Sequence, residues 1–130
     1  MTCQEFFGTY VEPFERVYHH YSPEKGFIVW RFGTGRNIEL LHIRSFALRK
    51  GFGRQLMYKM LDALVDSPPY FSVFGFTRVS NERAAGFYEA LGFNLQPIKG
   101  LYADGEAMMF WQSYEVLLKL RQKHENNLCS

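Results

Sequence analysis

An apolar strand that runs through a basic, glycine-containing turn into an amphipathic helix is the feature that most constrains the fold of this chain. The centre of Asn37–Phe46 is nearly continuously apolar, which predicts a strand buried on both faces. The turn, Arg49–Arg54, holds Gly51 and Gly53. The helix after it carries one apolar stripe, made of Leu56, Met57, Met60, Leu61 and Leu64. This order of elements predicts a fold of the α/β class.

Length and composition bound the remaining possibilities. A chain of 130 residues has the length of one domain, and we expect a single domain over residues 1–130. A hydrophobic content of 47% excludes an intrinsically disordered chain, and an aromatic content of 18% predicts a core rich in rings. The net charge of +2 is too small to indicate a nucleic-acid or anionic-membrane partner.

Cysteine usage and hydropathy point to a cytoplasmic protein. Cys3 and Cys129 lie near the two ends and match neither a metal-binding spacing nor a disulfide framework, so no metal is expected. The apolar stretches are shorter than the roughly 18 residues of a membrane span. The first ten residues lack the basic and then apolar pattern of a signal peptide.

The first third of the chain predicts one helical region and one strand. Residues 1–22 predict helix, broken near Pro13, because aromatic and aliphatic side chains recur there at spacings of three and four. Gly26–Gly33 predicts a strand, followed by a turn at Thr34-Gly35. His19-His20 is interpreted as a solvated pair on the helix, since no third metal ligand has a suitable spacing.

The last third predicts a strand, a helix, a hairpin and a second helix. Tyr70–Val79 predicts the strand, and Asn81 is expected to cap a helix that ends before Gly92. The hairpin strands are expected at about 93–99 and 106–113. A helical tail is expected over about 114–124, with the last residues frayed.

The turn Arg49–Arg54 favours an anion site. Glycines let the backbone approach a ligand closely, and the first N–H groups of the helix point at it with the help of the helix dipole. The alternative is a tight turn with solvated basic side chains. The absence of a GxxxxGK[ST] pattern excludes a Walker loop, and the missing third glycine disfavours a dinucleotide fingerprint.

The segment after Tyr70–Val79 is a second candidate. Asn81 can present its amide to a groove, and Tyr88 lies two helical turns later on nearly the same face. The alternatives are that Asn81 is only an N-cap and that Tyr88 is only a core aromatic residue.

Together the two segments resemble the GNAT superfamily of N-acetyltransferases. Its first motif, [RQ]xxGx[GA], is matched by Gly51 and Gly53, while Leu48 stands where Arg or Gln is usual. Its second motif is matched completely, by Asn81, Ala84, Tyr88, Leu91, Gly92 and Phe93. The resemblance covers about residues 37–114 and implies a mixed, mostly antiparallel central sheet flanked by helices, with a shortened N-terminal part.

The resemblance also implies a chemistry: transfer of an acetyl group from acetyl-CoA to an amine by direct attack. Backbone N–H groups of Ile43, Arg44 and Ser45 would face the thioester oxygen. Asn81 would contact the cofactor, and Tyr88 would act as the general acid for the departing thiolate. The pyrophosphate would be held by Arg49, Lys50, Gly51, Phe52, Gly53 and Arg54.

The general base has no obvious candidate, since no carboxylate lies in the strand before Asn81. Glu39 and His42 remain, and their alternatives are a solvent-facing carboxylate and a hydrogen-bonded core histidine. We expect deprotonation through water, with Glu39 assisting. The acceptor is an amine of a small molecule or a protein. The alternative function is a catalytically weak acyl-CoA-binding module that acts through protein contacts, with a homodimer through the C-terminal helix as one form of it.

Overall fold

The computed structural model describes residues 2–12, 17–47, 51–65, 70–103 and 105–129. Over these ranges the chain forms four α-helices and six strands of an α/β fold with a mixed, mostly antiparallel sheet, so the predicted fold class is confirmed. The described residues group into two compact units, Met1–Gly33 with Glu39–Pro69, and Thr34–Ile38 with Tyr70–Ser130. That residues 1–130 act as one domain stays a prediction.

The first unit contains helices α1 (Cys3–Tyr10) and α2 (Phe52–Leu64) and strands β1 (Tyr18–Ser22) and β2 (Gly26–Phe32), together with most of β3 (Asn37–Ser45). β2 is the middle strand, because β1 pairs antiparallel along one of its edges and β3 is its neighbour on the other. The structure therefore confirms the predicted strands at 26–33 and 37–46 to within one residue at each end.

The core of the first unit is built on β2, whose residues Phe27–Trp30 are almost completely buried. Phe27 and Val29 form a cluster with Val11, against which Phe6 and Phe7 of α1 also pack. The predicted apolar stripe of α2 is confirmed, since each of its five side chains is buried. Burial of one such side chain stabilises the fold by about 1.5–3 kcal/mol.

The prediction of helix up to residue 22 is wrong, because Tyr18–Ser22 is a strand. Antiparallel pairing with β2 holds this edge strand, and its alternate side chains His19 and Tyr21 pack edge-on or tilted against Phe7 of α1, at ring-centroid distances of 4.9 and 4.7 Å. His19 and His20 are consequently neighbours on a strand, with side chains on opposite faces. The break expected near Pro13 lies outside the described residues.

The second unit contains β4 (Ser72–Arg78), α3 (Glu82–Ala90), β5 (Asn94–Tyr102), β6 (Gly105–Ser113) and α4 (Tyr114–Cys129). β6 lies between β4 and β5 and is antiparallel to both. The predicted strand, helix and hairpin are therefore confirmed, although β5 extends three residues beyond the expected Lys99 because its pairing with β6 resumes at Tyr102.

The tail prediction is correct in type and wrong in length. α4 continues to Cys129, where fraying was expected after Lys123. Its first turns are anchored by the buried Tyr114 and Leu117, and an ion pair between Arg121 and Glu125, one turn apart, supports the later part at 3.0 Å. Among the described residues, no helix has the length and the apolar character needed to cross a membrane.

Candidate functional site

The start of α2 is a helix N-terminus without a side-chain cap. Gly51 occupies the cap position in the left-handed conformation (φ 73°), which favours glycine, and a Cβ there would meet no atom of the described residues within 4 Å. The first helical hydrogen bond runs from the Gln55 N–H to the Gly51 carbonyl, at 3.1 Å. The N–H groups of residues 52–54 therefore have no acceptor within the helix, and with the helix dipole they can bind an anion.

The charged side chains expected around this helix start are only partly described. Arg54 is half-buried and its Nη1 donates to the hydroxyl of Tyr58 at 3.3 Å, which directs the guanidinium along the helix. Leu48, Arg49 and Lys50 lie outside the described residues. The structure thus describes the backbone of the expected anion site from Gly51 onward, together with one of its three basic side chains.

The end of β3 is fixed by the beginning of β2. Gly26 has a φ of 137°, and a Cβ there would overlap the carbonyl oxygen of Arg44. The Phe46 N–H donates to the carbonyl of Lys25 at 2.8 Å, next to this close approach. The guanidinium of Arg44 lies over the ring of Phe6 at 4.0 Å. A contribution of Ile43, Arg44 or Ser45 to a ligand would accordingly come from a backbone held in a defined position.

Glu39 is engaged in an ion pair. Its Oε1 accepts from Nε of Arg31 at 2.8 Å and from Nη2 at 2.7 Å. The side chain of Glu39 is 16% exposed and that of Arg31 is 53% exposed. Glu39 is therefore not the solvent-facing carboxylate of the alternative interpretation. If Glu39 accepts a proton from the amine, it does so while paired with the guanidinium of Arg31. That role stays a prediction.

His42, the other candidate base, is half-buried and meets the ring of Phe6 edge-on at a centroid distance of 5.1 Å. Burial, and secondarily the charge of Arg44, lower the pKa of His42 below its ordinary value. The imidazole is thus mainly neutral at pH 7, with its ring packed against α1.

Asn81 caps α3. Its Oδ1 accepts a hydrogen bond from the Ala84 N–H at 3.1 Å, so the interpretation of Asn81 as an N-cap is confirmed. This bond satisfies one of the first-turn donors, in contrast to the start of α2. Because the cap uses the oxygen of the side-chain amide, a ligand contact by Asn81 would fall to its NH₂ group.

Tyr88 belongs to the core of the second unit. The residue is 8% exposed, and its ring stacks on that of Phe110 with a centroid distance of 3.6 Å and an interplanar angle of 10°. The ring of Phe93 meets it edge-on at 5.8 Å. Burial raises the pKa of the Tyr88 phenol, so the hydroxyl stays protonated at physiological pH and can act as a hydrogen-bond donor.

The candidate residues divide between the two units. Glu39, residues 43–45 and the start of α2 lie in the first unit, and Asn81 and Tyr88 lie together on α3 in the second.

Sequence reasoning missed Arg31, the partner of Glu39. The signal was present, because the two residues have opposite charge and flank the predicted turn Thr34-Gly35. In the described ranges, no three His, Cys, Asp or Glu side chains come together as metal ligands.

Comparison with known proteins identifies the family of this chain. The acetyltransferase (GNAT) family matches residues 25–93 of this chain. Ard1 from Thermoplasma volcanium has a similar structure (26% identity, TM-score 0.60, 68% of this chain and 62% of that one). Arabidopsis thaliana Naa50 in complex with the bisubstrate analogue CoA-Ac-MVNAL is similar at 19% identity and TM-score 0.56, over 68% of this chain and 65% of that one.

A third similar structure is that of mutant forms of the spermidine/spermine N-acetyltransferase SpeG from Vibrio cholerae (15% identity, TM-score 0.62, 89% of this chain and 77% of that one). The chain spans less than two thirds of the length of Ard1 and of Naa50. No curated protein has a significantly similar sequence. Because the family match covers more than half of the 130 residues, the chain belongs to the GNAT family of acetyltransferases.

Proposed function

We propose that this chain is an acetyl-CoA-dependent N-acetyltransferase that acts on an amine of a small molecule or a protein. The observation that carries the proposal is the start of α2, where a left-handed glycine stands at the cap position of a helix without a side-chain cap, in a chain of the GNAT family. The competing function, an acyl-CoA-binding module without efficient turnover, uses the same helix start and differs only in catalysis.

The residues present fit the cofactor. When bound, acetyl-CoA supplies the thioester whose acetyl group is transferred. The N–H groups of Phe52, Gly53 and Arg54 would hold the pyrophosphate, since no described residue fills the space beside Gly51. Arg49, Lys50 and the guanidinium of Arg54 would add positive charge. Backbone N–H groups within Ile43–Ser45 would donate to the thioester oxygen, where negative charge develops.

Tyr88 would donate its hydroxyl proton toward the departing thiolate. A thiol has an ordinary pKa of about 8.5, whereas burial raises the pKa of this phenol above its ordinary value of about 10. Complete proton transfer from Tyr88 to the thiolate is therefore uphill. The main contribution of Tyr88 would be a hydrogen bond to the developing negative charge, which places its effect at the lower end of general acid catalysis.

The amine must lose a proton before attack, since a lysine-like ammonium has a pKa of about 10.4. The Arg31 guanidinium occupies Oε1 of Glu39, and this pairing favours the other carboxylate oxygen, acting through a water molecule, as the assisting group. We infer that water is the primary acceptor and that Glu39 assists.

Both acceptor classes have support among the structural relatives. Naa50 is found in complex with a CoA–peptide analogue, and SpeG is a spermidine/spermine N-acetyltransferase. The identities of 19% and 15% to these two proteins do not select one class for this chain. Two parts of the proposal rest on the sequence alone. One is a cytoplasmic location, and the other is a homodimer if the chain is a binding module.

The decisive experiment separates binding from turnover. Calorimetry with acetyl-CoA measures affinity, and release of the free CoA thiol is then followed with spermidine, with a peptide bearing a free N-terminus and with a lysine peptide whose N-terminus is blocked. Binding with amine-dependent thiol release supports the transferase and identifies the acceptor class. Binding without release by any amine favours the acyl-CoA-binding module. Absence of binding contradicts both.

A further inference from the structure

A basic pocket of about 280 Å³ lies in the first unit, between the turn that joins β1 to β2 and one side of α2. We call it the β1–α2 pocket. Its helical residues, Gln55, Leu56 and Lys59, are the fourth, fifth and eighth residues of α2. The pocket is lined by His20, Tyr21, Ser22, Pro23, Lys25, Gln55, Leu56 and Lys59.

Regular secondary structure positions the polar groups of this pocket. On β1, the rings of His19 and Tyr21 contact Phe7 of α1, so the alternate side chains of His20 and Ser22 point to the opposite face. Both of these residues line the pocket, and Tyr21 between them borders it as well. On α2, Gln55 and Lys59 are four residues apart and therefore share one face. Strand alternation and helix periodicity thus direct four hydrogen-bonding side chains into one space.

The charge of the β1–α2 pocket is positive and unbalanced. Lys25 and Lys59 contribute two ammonium groups, and among the described residues that line the pocket there is no carboxylate. Glu24, in the same turn, is exposed and does not line it. Burial, followed by the charges of Lys59, His19 and Lys25, lowers the pKa of His20, as expected where positive charges converge.

We propose that the β1–α2 pocket binds the dianion of a phosphate monoester. Two ammonium groups match its two negative charges, and the Ser22 hydroxyl and the Gln55 amide can donate to further phosphoryl oxygens. The pocket exceeds the volume of one phosphate group, and Leu56 and Pro23 offer an apolar wall to the ester substituent. The same chemistry has two sources, a free phosphate ester or the 3′-phosphate of acetyl-CoA itself.

The first test uses no acetyl-CoA and so does not depend on the proposed function. Inorganic phosphate and phenyl phosphate are titrated into the isotope-labelled protein at constant ionic strength, and NMR follows the backbone amides and the His20 ring. We expect saturable shifts at Ser22, Lys25 and Gln55. The bound dianion stabilises the imidazolium, so the pKa of His20 should rise. Shifts that do not saturate, or that leave these residues unmoved, overturn the proposal.

A matched pair of variants separates a built site from general charge attraction. The double variant Lys25→Gln/Lys59→Gln should weaken phenyl phosphate binding about tenfold or more, because it removes two charge-assisted hydrogen bonds. Lys99→Gln/Lys123→Gln removes the same charge from two exposed positions outside the pocket and should change the affinity less than about twofold. Equal weakening in both variants overturns the proposal. Thermal melting of both confirms that each is folded.

The source of the phosphate is then resolved by comparing acetyl-CoA with 3′-dephospho-acetyl-CoA. If Lys25→Gln/Lys59→Gln weakens the binding of acetyl-CoA and leaves that of the dephospho form unchanged, the pocket takes the 3′-phosphate of acetyl-CoA. If neither affinity changes while phenyl phosphate binding is lost, the pocket takes a separate phosphate ester. Both outcomes retain the pocket as a phosphate site.

Discussion

Helices α2 and α3 begin in opposite ways. At α2 the cap residue is Gly51, which has no side chain to accept from the first-turn N–H groups. At α3 the cap residue is Asn81, whose side chain accepts from the Ala84 N–H. Both helices follow a strand in the sequence, and both starts are candidate sites, but a side-chain cap satisfies a first-turn donor at α3 and none is present at α2.

This difference indicates which groups of each segment, backbone or side chain, can contact a ligand. Around α2 the candidate groups are backbone N–H groups, and the glycines matter because they leave space. On α3 they are side chains, the amide of Asn81 and the hydroxyl of Tyr88, and both also stabilise the fold. Substitutions of the glycines around α2 should therefore act by filling the space that a ligand would occupy. Substitutions of Asn81 and Tyr88 should act by removing single hydrogen-bonding groups.

The largest effect is expected at the backbone site. Gly53→Val should abolish acetyl-CoA binding, by about a hundredfold or more, because a branched side chain would occupy the first turn of α2, where the pyrophosphate is expected. Calorimetry measures the affinity. Gly86→Val controls for a branched residue within a helix: it adds the same side chain to α3 at an exposed position where a Cβ meets no described atom beyond the helix's own backbone within 4 Å, whereas Gly53 is buried.

Circular dichroism and thermal melting establish that both valine variants are folded. Normal affinity in a folded Gly53→Val protein would contradict the assignment of the pyrophosphate to the start of α2. It would also mean that the start of α2 does not differ from the start of α3 in binding a ligand through its backbone N–H groups.

The second effect concerns the hydroxyl of Tyr88. Tyr88→Phe should lower kcat about a hundredfold and leave the affinity for acetyl-CoA nearly unchanged, since the ring can keep its stacking on Phe110. Tyr18→Phe removes a hydroxyl from an exposed ring and serves as the control. An unchanged kcat, with chemistry shown to be rate-limiting, would leave Tyr88 a packing residue only.

The third effect tests the double role of Asn81. Asn81→Ala should lower the free energy of unfolding by about 1 kcal/mol, because the Ala84 N–H loses its acceptor, whereas Asn81→Asp keeps a capping oxygen and should remain close to the native stability. Denaturant unfolding measures both. If Asn81 also contacts the cofactor through its NH₂ group, Asn81→Asp should weaken acetyl-CoA binding without destabilising the fold.

Local sequence signals predicted most of the fold. The apolar stripe of α2, the cap and end of α3 and the turns around β2 are all set by residues within a few positions of each other. β1 was mistaken for a helix because its conformation depends on pairing with β2 and on contact with Phe7, which the spacing of its own residues does not record.

The candidate site divides in the same way. Gly51 and Asn81 could be found from the sequence because a helix start is a local structure. The close approach at Gly26 could not be, because it depends on how two strands pair. The ion pair of Arg31 with Glu39 was missed, although the two residues flank the predicted turn Thr34-Gly35 and have opposite charge. The stacking of Tyr88 on Phe110 joins residues 22 positions apart and was likewise outside the reach of local patterns.

The smallest effect is expected at Glu39, a side chain in the unit where the other candidate groups belong to the backbone. Glu39→Gln should lower the rate only about two- to threefold, because Arg31 already holds one carboxylate oxygen and water accepts the proton. Activity of both proteins should then rise with pH toward the pKa of the amine, about 10 for a lysine-like acceptor. Burial raises the pKa of Tyr88, so loss of its proton should not end this rise at lower pH.

The pH profiles of the native protein and Glu39→Gln on one good acceptor measure this. Arg31→Gln is the companion variant, since it frees the carboxylate without removing it. Because the Arg31 side chain is exposed, the loss of this ion pair should cost less than about 1 kcal/mol of stability. If Glu39 is the catalytic base, Glu39→Gln should lose about a thousandfold in rate together with one titration of the native profile, and Arg31→Gln should keep that titration. That result would make Glu39, a side chain of the first unit, essential for catalysis. The contrast between backbone groups in the first unit and side chains on α3 would then no longer hold.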